Sequence, residues 1–68
     1  MSFYLASKVR FQNGAVFKWC DSGFSRKEAP MLFDTKEAAL SYALSEKRLS
    51  SGNFKRRLAM HVEIVEEP

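Results

Sequence analysis

Cysteine occurs once in these 68 residues, at Cys20. A lone thiol cannot close an intramolecular disulfide, so the chain suits a reducing compartment and is expected to be cytoplasmic. Histidine also occurs once, at His61. A zinc centre needs three or four convergent ligands, and one Cys and one His cannot supply them without carboxylates, which lie elsewhere in the sequence. No metal or other cofactor is expected. The three glycines are scattered, so no glycine-rich loop is present to cradle a phosphate. No apolar run is long enough to span a bilayer, and the N-terminus lacks the blocks of a signal peptide, so no membrane partner is expected. Internal repeats and low-complexity tracts are absent.

What the chain does have is aromatic weight: six Phe, two Tyr and one Trp. At this length a single domain, residues 1–68, is expected. A domain so small buries roughly 60% of its unfolded-chain surface, so large inward aromatics have to supply the core. The formal charge is +3. That permits an anionic partner without demanding one. The charge is unevenly placed: Arg26-Lys27 and Arg56-Arg57 are basic, whereas Val62–Pro68 is acidic through Glu63, Glu66 and Glu67.

The stretch from Phe3 to Trp19 is two alternating runs around Asn13-Gly14, a strong hairpin signal. Side-chain parity chooses the turn. A two-residue loop pairs Gln12 with Ala15 and mixes both faces. A three-residue loop with Gly14 as a left-handed bulge pairs Phe11 with Ala15 instead. Phe3, Leu5, Val9, Phe11, Ala15, Phe17 and Trp19 then share one face. Tyr4, Ala6, Lys8, Arg10, Gln12, Val16, Lys18 and Cys20 share the other. A one-residue slip would flip every side chain, so the clean apolar face selects the bulged hairpin.

Asp21–Pro30 reads as a long loop, punctuated by Gly23 and Pro30. Phe24 caps the hairpin, and part of Met31-Leu32-Phe33 is expected to fold back on the core. A helix is expected from Asp34, with Asp34 as N-cap, Glu37 closing a capping box and Phe33 in the staple position. It runs to about Ser50, with Gly52 as C′ residue. Ala39, Leu40, Ala43 and Leu44 form its apolar stripe, against which Trp19 should lie. Tyr42 and Leu49 fall to the other side, open to the loop or a partner.

A last strand spans about Arg57 to Val65, with Leu58, Met60, Val62 and Ile64 inward. The expected fold is α+β: a ββαβ domain with a three-stranded antiparallel sheet in the order 2-1-3 and one helix on one face. The third strand's outer edge is a place where a second copy could pair, so monomer and homodimer both stand.

Cys20, His61 and Asp21 invite a nucleophile–base reading. In the 2-1-3 order Cys20 and His61 sit on the two outer strands. Two strand spacings of about 4.8 Å separate them, beyond hydrogen-bond reach, and Asp21 faces the other way. No catalytic residue is assigned and the chain is not expected to be an enzyme. The other sheet face carries Lys8, Arg10, Lys18 and Arg57, with Tyr4 and His61 among them. Cations interleaved with an aromatic can contact phosphates or stack on bases. Charges on a sheet face also serve simply to keep it solvated.

The segment Phe33-Asp34-Thr35-Lys36-Glu37-Ala38-Ala39-Leu40, with its following Tyr42-Ala43, resembles the capped helix of many short accessory proteins encoded by bacteriophages. The resemblance covers most of the chain in layout, and its motif is the helix cap. It implies a stoichiometric binder of a host protein, for instance an inhibitor of a host complex, and carries over no functional residues. The expected function is therefore a protein-binding accessory or inhibitor module with a host or cellular protein as partner. The alternative is a nucleic-acid binder working through the basic sheet face. Besides that face, Phe24, Arg26 and Tyr42 are the candidate partner contacts, because aromatics and Arg dominate binding hot spots.

Overall fold

A computed structural model of the protein describes residues 1–8, 13–46, 49 and 62–68. The elements are β1 (Ser2–Ser7), β2 (Lys18–Cys20), β3 (Gly23–Ser25), α1 (Lys36–Ser45) and β4 (Val62–Glu67). Among the described residues the fold is α+β, with the helix α1 and a four-stranded antiparallel sheet in the order β3-β2-β1-β4. The expected order of hairpin and last strand is preserved as β2-β1-β4. The sheet has four strands rather than three, because the segment read as a loop contains β3.

The added strand follows from local turn chemistry. Cys20 stands opposite Gly23, leaving Asp21-Ser22 as a two-residue connection, and Gly23 takes φ 117°. Only glycine adopts such a φ without a Cβ penalty. Trp19 then faces Phe24 across the two strands. Their rings meet edge to face, 5.0 Å between centroids at 81°. Phe24 thus extends the sheet rather than merely capping the hairpin.

Among the described residues the first hairpin keeps the faces of Leu5, Ala6, Lys18 and Trp19 and changes its register. Gly14 is left-handed at φ 79°, and the Asn13 side-chain oxygen accepts from the Ala15 N–H at 3.0 Å. The Phe11–Ala15 pairing itself lies outside the described residues. Carried down the strands, that pairing would set Ala6 opposite Cys20; Ala6 stands opposite Lys18 instead. A two-residue shift leaves parity unchanged, so Leu5 and Trp19 still point the same way. β2 ends at Cys20, and the chain returns alongside β1 beyond it. Phe33 exchanges two 2.8 Å backbone bonds with Phe3, and the Met31 N–H donates to the Trp19 carbonyl at 3.0 Å. Met31 and Phe33 thereby fold onto the core while Leu32 stays exposed.

The helix begins one residue later than expected. Thr35 is its N-cap, in extended conformation, and its hydroxyl accepts from the Ala38 N–H at 3.0 Å. The residue three positions on is Ala38, so no capping box closes. The helix also ends early, at Ser45, with Glu46 extended. The Ser45 hydroxyl donates to the Tyr42 carbonyl at 3.2 Å and the Glu46 N–H donates to the same oxygen at 2.8 Å. A hydroxyl competing for a last-turn carbonyl weakens continuation of the helix. Gly52 lies outside the described residues.

The core comprises Leu5, Trp19, Ala39, Ala43, Leu49 and Val62, with Met31, Phe33, Tyr42 and Ile64 packed around it. The small side chains of Ala39 and Ala43 bring the helix close to the sheet. Leu40 and Leu44, read as half of the inward stripe, are instead 44% and 41% exposed. Tyr42 and Leu49, read as facing away, take the inward positions. β4 runs two residues past Val65, and Val62 and Ile64 face the helix as expected. The expected strand residues Arg57–Met60 lie outside the described residues.

Candidate partner-binding surfaces

The sheet face turned away from α1 is built by alternation. β1 contributes Tyr4 and Ala6, β2 contributes Lys18 and Cys20, and β4 contributes Glu63, Val65 and Glu67. Lys18 places its ammonium 4.8 Å from the centre of the Tyr4 ring. A cation over an aromatic face gains about 0.5–1 kcal/mol at such a site, and it occupies that face of the ring. Lys8 follows β1 and is exposed. The basic half of the face therefore adjoins an acidic half on β4. Arg10, Arg57 and His61 lie outside the described residues.

This face is less open than the sequence implies. Ala6 is 1% exposed and Cys20 2%. The Cys20 Sγ lies 3.5 Å from the Lys18 carbonyl oxygen and 3.7 Å from that of Glu28, so the segment after β3 folds over it. Burial pushes the thiol above its ordinary value, and the charges of Glu28 and then Asp21 push the same way. A buried, protonated thiol is a poor nucleophile. The Cys20–His61 separation lies outside the described residues. Among those residues no three His, Cys, Asp or Glu side chains converge to hold a metal ion. No helix among them is long and apolar enough to cross a membrane.

Tyr42 is committed internally. Its hydroxyl accepts from Trp19 Nε1–H at 3.0 Å and donates to Glu46 Oε2 at 3.1 Å. Its ring lies 5.2 Å from that of Phe33. Phe24 is 38% exposed at the edge strand, and Arg26 is exposed just beyond it. The Lys27 and Glu28 N–H groups both donate to the Ser25 hydroxyl at 3.1 Å, which turns the chain away from β3. Phe24 and Arg26 thus occupy one end of the sheet, and Tyr4 with Lys18 its outer face. Tyr42 belongs to the core side.

One surface escapes the sequence reading, and a second was foreseen in part. Leu40 and Leu44, one turn apart on α1, present an apolar stripe to solvent. β4 presents an outer edge bordered by Glu63, Glu66 and Glu67. The alternation of β4, its acidic end and its outermost place were all legible in the expected 2-1-3 order; the register that aims its backbone groups was not. No family model, curated protein or solved structure matches this chain.

Proposed function

We propose that the protein is a non-catalytic binding module, an accessory or inhibitor protein whose partner is another protein. The carrying observation is the apolar stripe of Leu40 and Leu44 along one helix face; Met1, Leu32 and Phe24 are exposed singly elsewhere. Single exposed apolar residues are ordinary, but the adjacent Leu40 and Leu44, 44% and 41% exposed, form a stripe on the helix that a partner would cover. A module of this kind acts by occupying a surface, which is also what the resemblance to phage accessory proteins implies.

The nucleic-acid reading rests on Lys8 and Lys18 beside Tyr4. Two features count against it. Lys18 already covers one face of the Tyr4 ring, and Glu63 and Glu67 share the same sheet face. Carboxylates there repel phosphate and offset the gain from two lysines.

Affinity capture from native lysate tests the reading, using wild type and the double variant Leu40→Glu/Leu44→Glu, each with and without nuclease. A protein retained by wild type after nuclease and lost by the folded variant is the expected result. Retention that disappears with nuclease, together with salt-sensitive DNA binding that Lys8→Ala/Lys18→Ala abolishes, would replace it with the nucleic-acid reading.

A further inference from the structure

Among the described residues the outer edge of β4 is an unfilled hydrogen-bonding template. Its inner edge pairs with β1 along all six residues, from Ser2↔Glu67 to Ser7↔Val62. Backbone direction alternates along each strand. The Ser7 N–H donates to the Phe17 carbonyl at 2.9 Å and Phe3 bonds Phe33, so odd-numbered β1 residues face the β2 side. Ser2, Tyr4 and Ala6 therefore face β4 and engage Glu67, Val65 and Glu63. The N–H and C=O groups of Val62, Ile64 and Glu66 consequently point away from the sheet. Among the described residues nothing pairs with them. The opposite edge is poorer: β3 has three residues, and alternation leaves only Phe24 with outward backbone groups.

The side chains beside this open edge carry one sign of charge. Glu66 lies on the helix side; Glu63 and Glu67 lie on the other. Carboxylates thus flank the edge on both faces, and β4 holds no cation. Among the described residues Glu66 and Glu67 have no ion-pair partner, in a chain whose net charge is +3. A second β4 is a poor occupant, since symmetric pairing would add three more carboxylates to the three already there. We infer that the edge of β4 receives an extended basic segment of a partner protein as a fifth strand. Its backbone bonds Val62, Ile64 and Glu66, and its Lys or Arg side chains meet Glu66 on one face and Glu67 on the other. This rests on the protein-binding reading above and names a surface separate from the Leu40–Leu44 stripe.

The probe is a ten-residue peptide alternating lysine and threonine. Two controls accompany it: a glutamate–threonine peptide, and the lysine peptide N-methylated on alternate amides, which keeps the charge and removes strand pairing. Amide hydrogen exchange at Ile64 and Glu66 is the readout. At a concentration filling roughly nine-tenths of the sites, the lysine peptide should slow both amides about tenfold. The controls should not, and Glu66→Lys/Glu67→Lys should abolish the effect while leaving the wild-type fold. Equal response to the N-methylated peptide would reduce the effect to charge attraction and overturn the inference, as would no response to any peptide. Protection of the same amides on raising protein concentration alone would overturn it in favour of a second copy. Any of these failures leaves the capture experiment on Leu40 and Leu44 standing as an independent test of partner binding.

Discussion

Trp19 Nε1–H donates to the hydroxyl of Tyr42 at 3.0 Å, joining the sheet to the helix through a polar contact inside an aromatic cluster. The hydroxyl in turn donates to Glu46, the residue at which the helix stops. Trp19 is buried, so its indole N–H has to find an acceptor within the protein. Replacing Tyr42 by Phe keeps the ring on Phe33 and orphans that donor. The expected loss is about 1–3 kcal/mol. Trp19→Ala removes the largest core side chain and should cost about 3–5 kcal/mol, enough to unfold so small a domain. Urea midpoints of Tyr42→Phe, Trp19→Phe and the double variant check this. A double variant whose loss equals the sum of the singles would show that the two residues are not coupled.

The helix cap gives a paired prediction. Thr35 accepts from the Ala38 N–H, and Asp34 precedes the cap and is exposed. Thr35→Ala should lose about 1 kcal/mol, and Asp34→Ala should lose markedly less. Thermal denaturation of both variants in one buffer decides it. A larger loss for Asp34→Ala would move the helix start back by one residue.

These two cases mark what the sequence could and could not convey. Parity fixed which residues of β1 and β2 face the helix, because side chains alternate whatever the register. Register itself depends on how many residues the turn consumes, and Ala6 meeting Lys18 instead of Cys20 left parity untouched. β3 was hidden because Gly23-Phe24-Ser25 is too short to alternate visibly; the Asp21-Ser22-Gly23 turn was its one local signal. The helix face was ambiguous for another reason. Ala39 and Ala43 belong equally to a stripe with Leu40 and Leu44 and to one with Tyr42 and Leu49. Hydrophobicity favours the leucines, and the need of Trp19 for an acceptor favours Tyr42. The acidic edge was legible, since the 2-1-3 order already placed the last strand outermost and Val62–Pro68 already read as acidic; which backbone groups it leaves open required the register of β4 on β1.

Helix orientation is open to direct test by volume. Ala43 is 1% exposed against the sheet, whereas Leu44 is an outward neighbour. Ala43→Leu should overpack the core and cost about 1–3 kcal/mol. Leu44→Ala should cost less than Ala43→Leu, since Leu44 is 41% exposed and its removal leaves no closed cavity. Chemical denaturation of both variants reads the difference. The reverse ranking would turn the helix by about 100°, the angle of one residue.

Cys20 predicts a pH dependence of stability. Burial first, then Glu28 and Asp21, raise its thiol above the ordinary 9.0. A raised folded-state value means the folded protein holds the proton more tightly than the unfolded chain does. The resulting stabilisation is fully present below the unfolded value and is lost as pH rises through it toward the folded value. Wild type should therefore lose stability relative to Cys20→Ala between about pH 8 and pH 10. Parallel urea titrations at those pH values measure it. Labelling by a thiol reagent at about pH 8 should be slow in native buffer and fast in urea. Rapid native labelling would contradict the closed position of Cys20 beneath the Glu28 carbonyl.

The mixed charge of the outer sheet face makes a quantitative statement about nucleic acid. If Lys8 and Lys18 each met a phosphate, binding to duplex DNA would weaken with salt at a log–log slope of about −2, and each alanine replacement would reduce it by about one. Tyr4 stacked on a base would lose about 1–3 kcal/mol of single-strand affinity on replacement by Ala. The Lys18–Tyr4 contact at 4.8 Å and the adjacent Glu63 and Glu67 oppose both effects. Wild type should bind duplex and single strand weakly, and Lys8→Ala/Lys18→Ala should change little. Glu63→Gln/Glu67→Gln should raise DNA affinity more than the lysine changes lower it, because it removes two carboxylates that repel phosphate. Titrations of the three proteins against one duplex and one single strand at two salt concentrations decide the matter. Tight, salt-steep binding by wild type that the lysine variant loses would make the outer face a nucleic-acid surface.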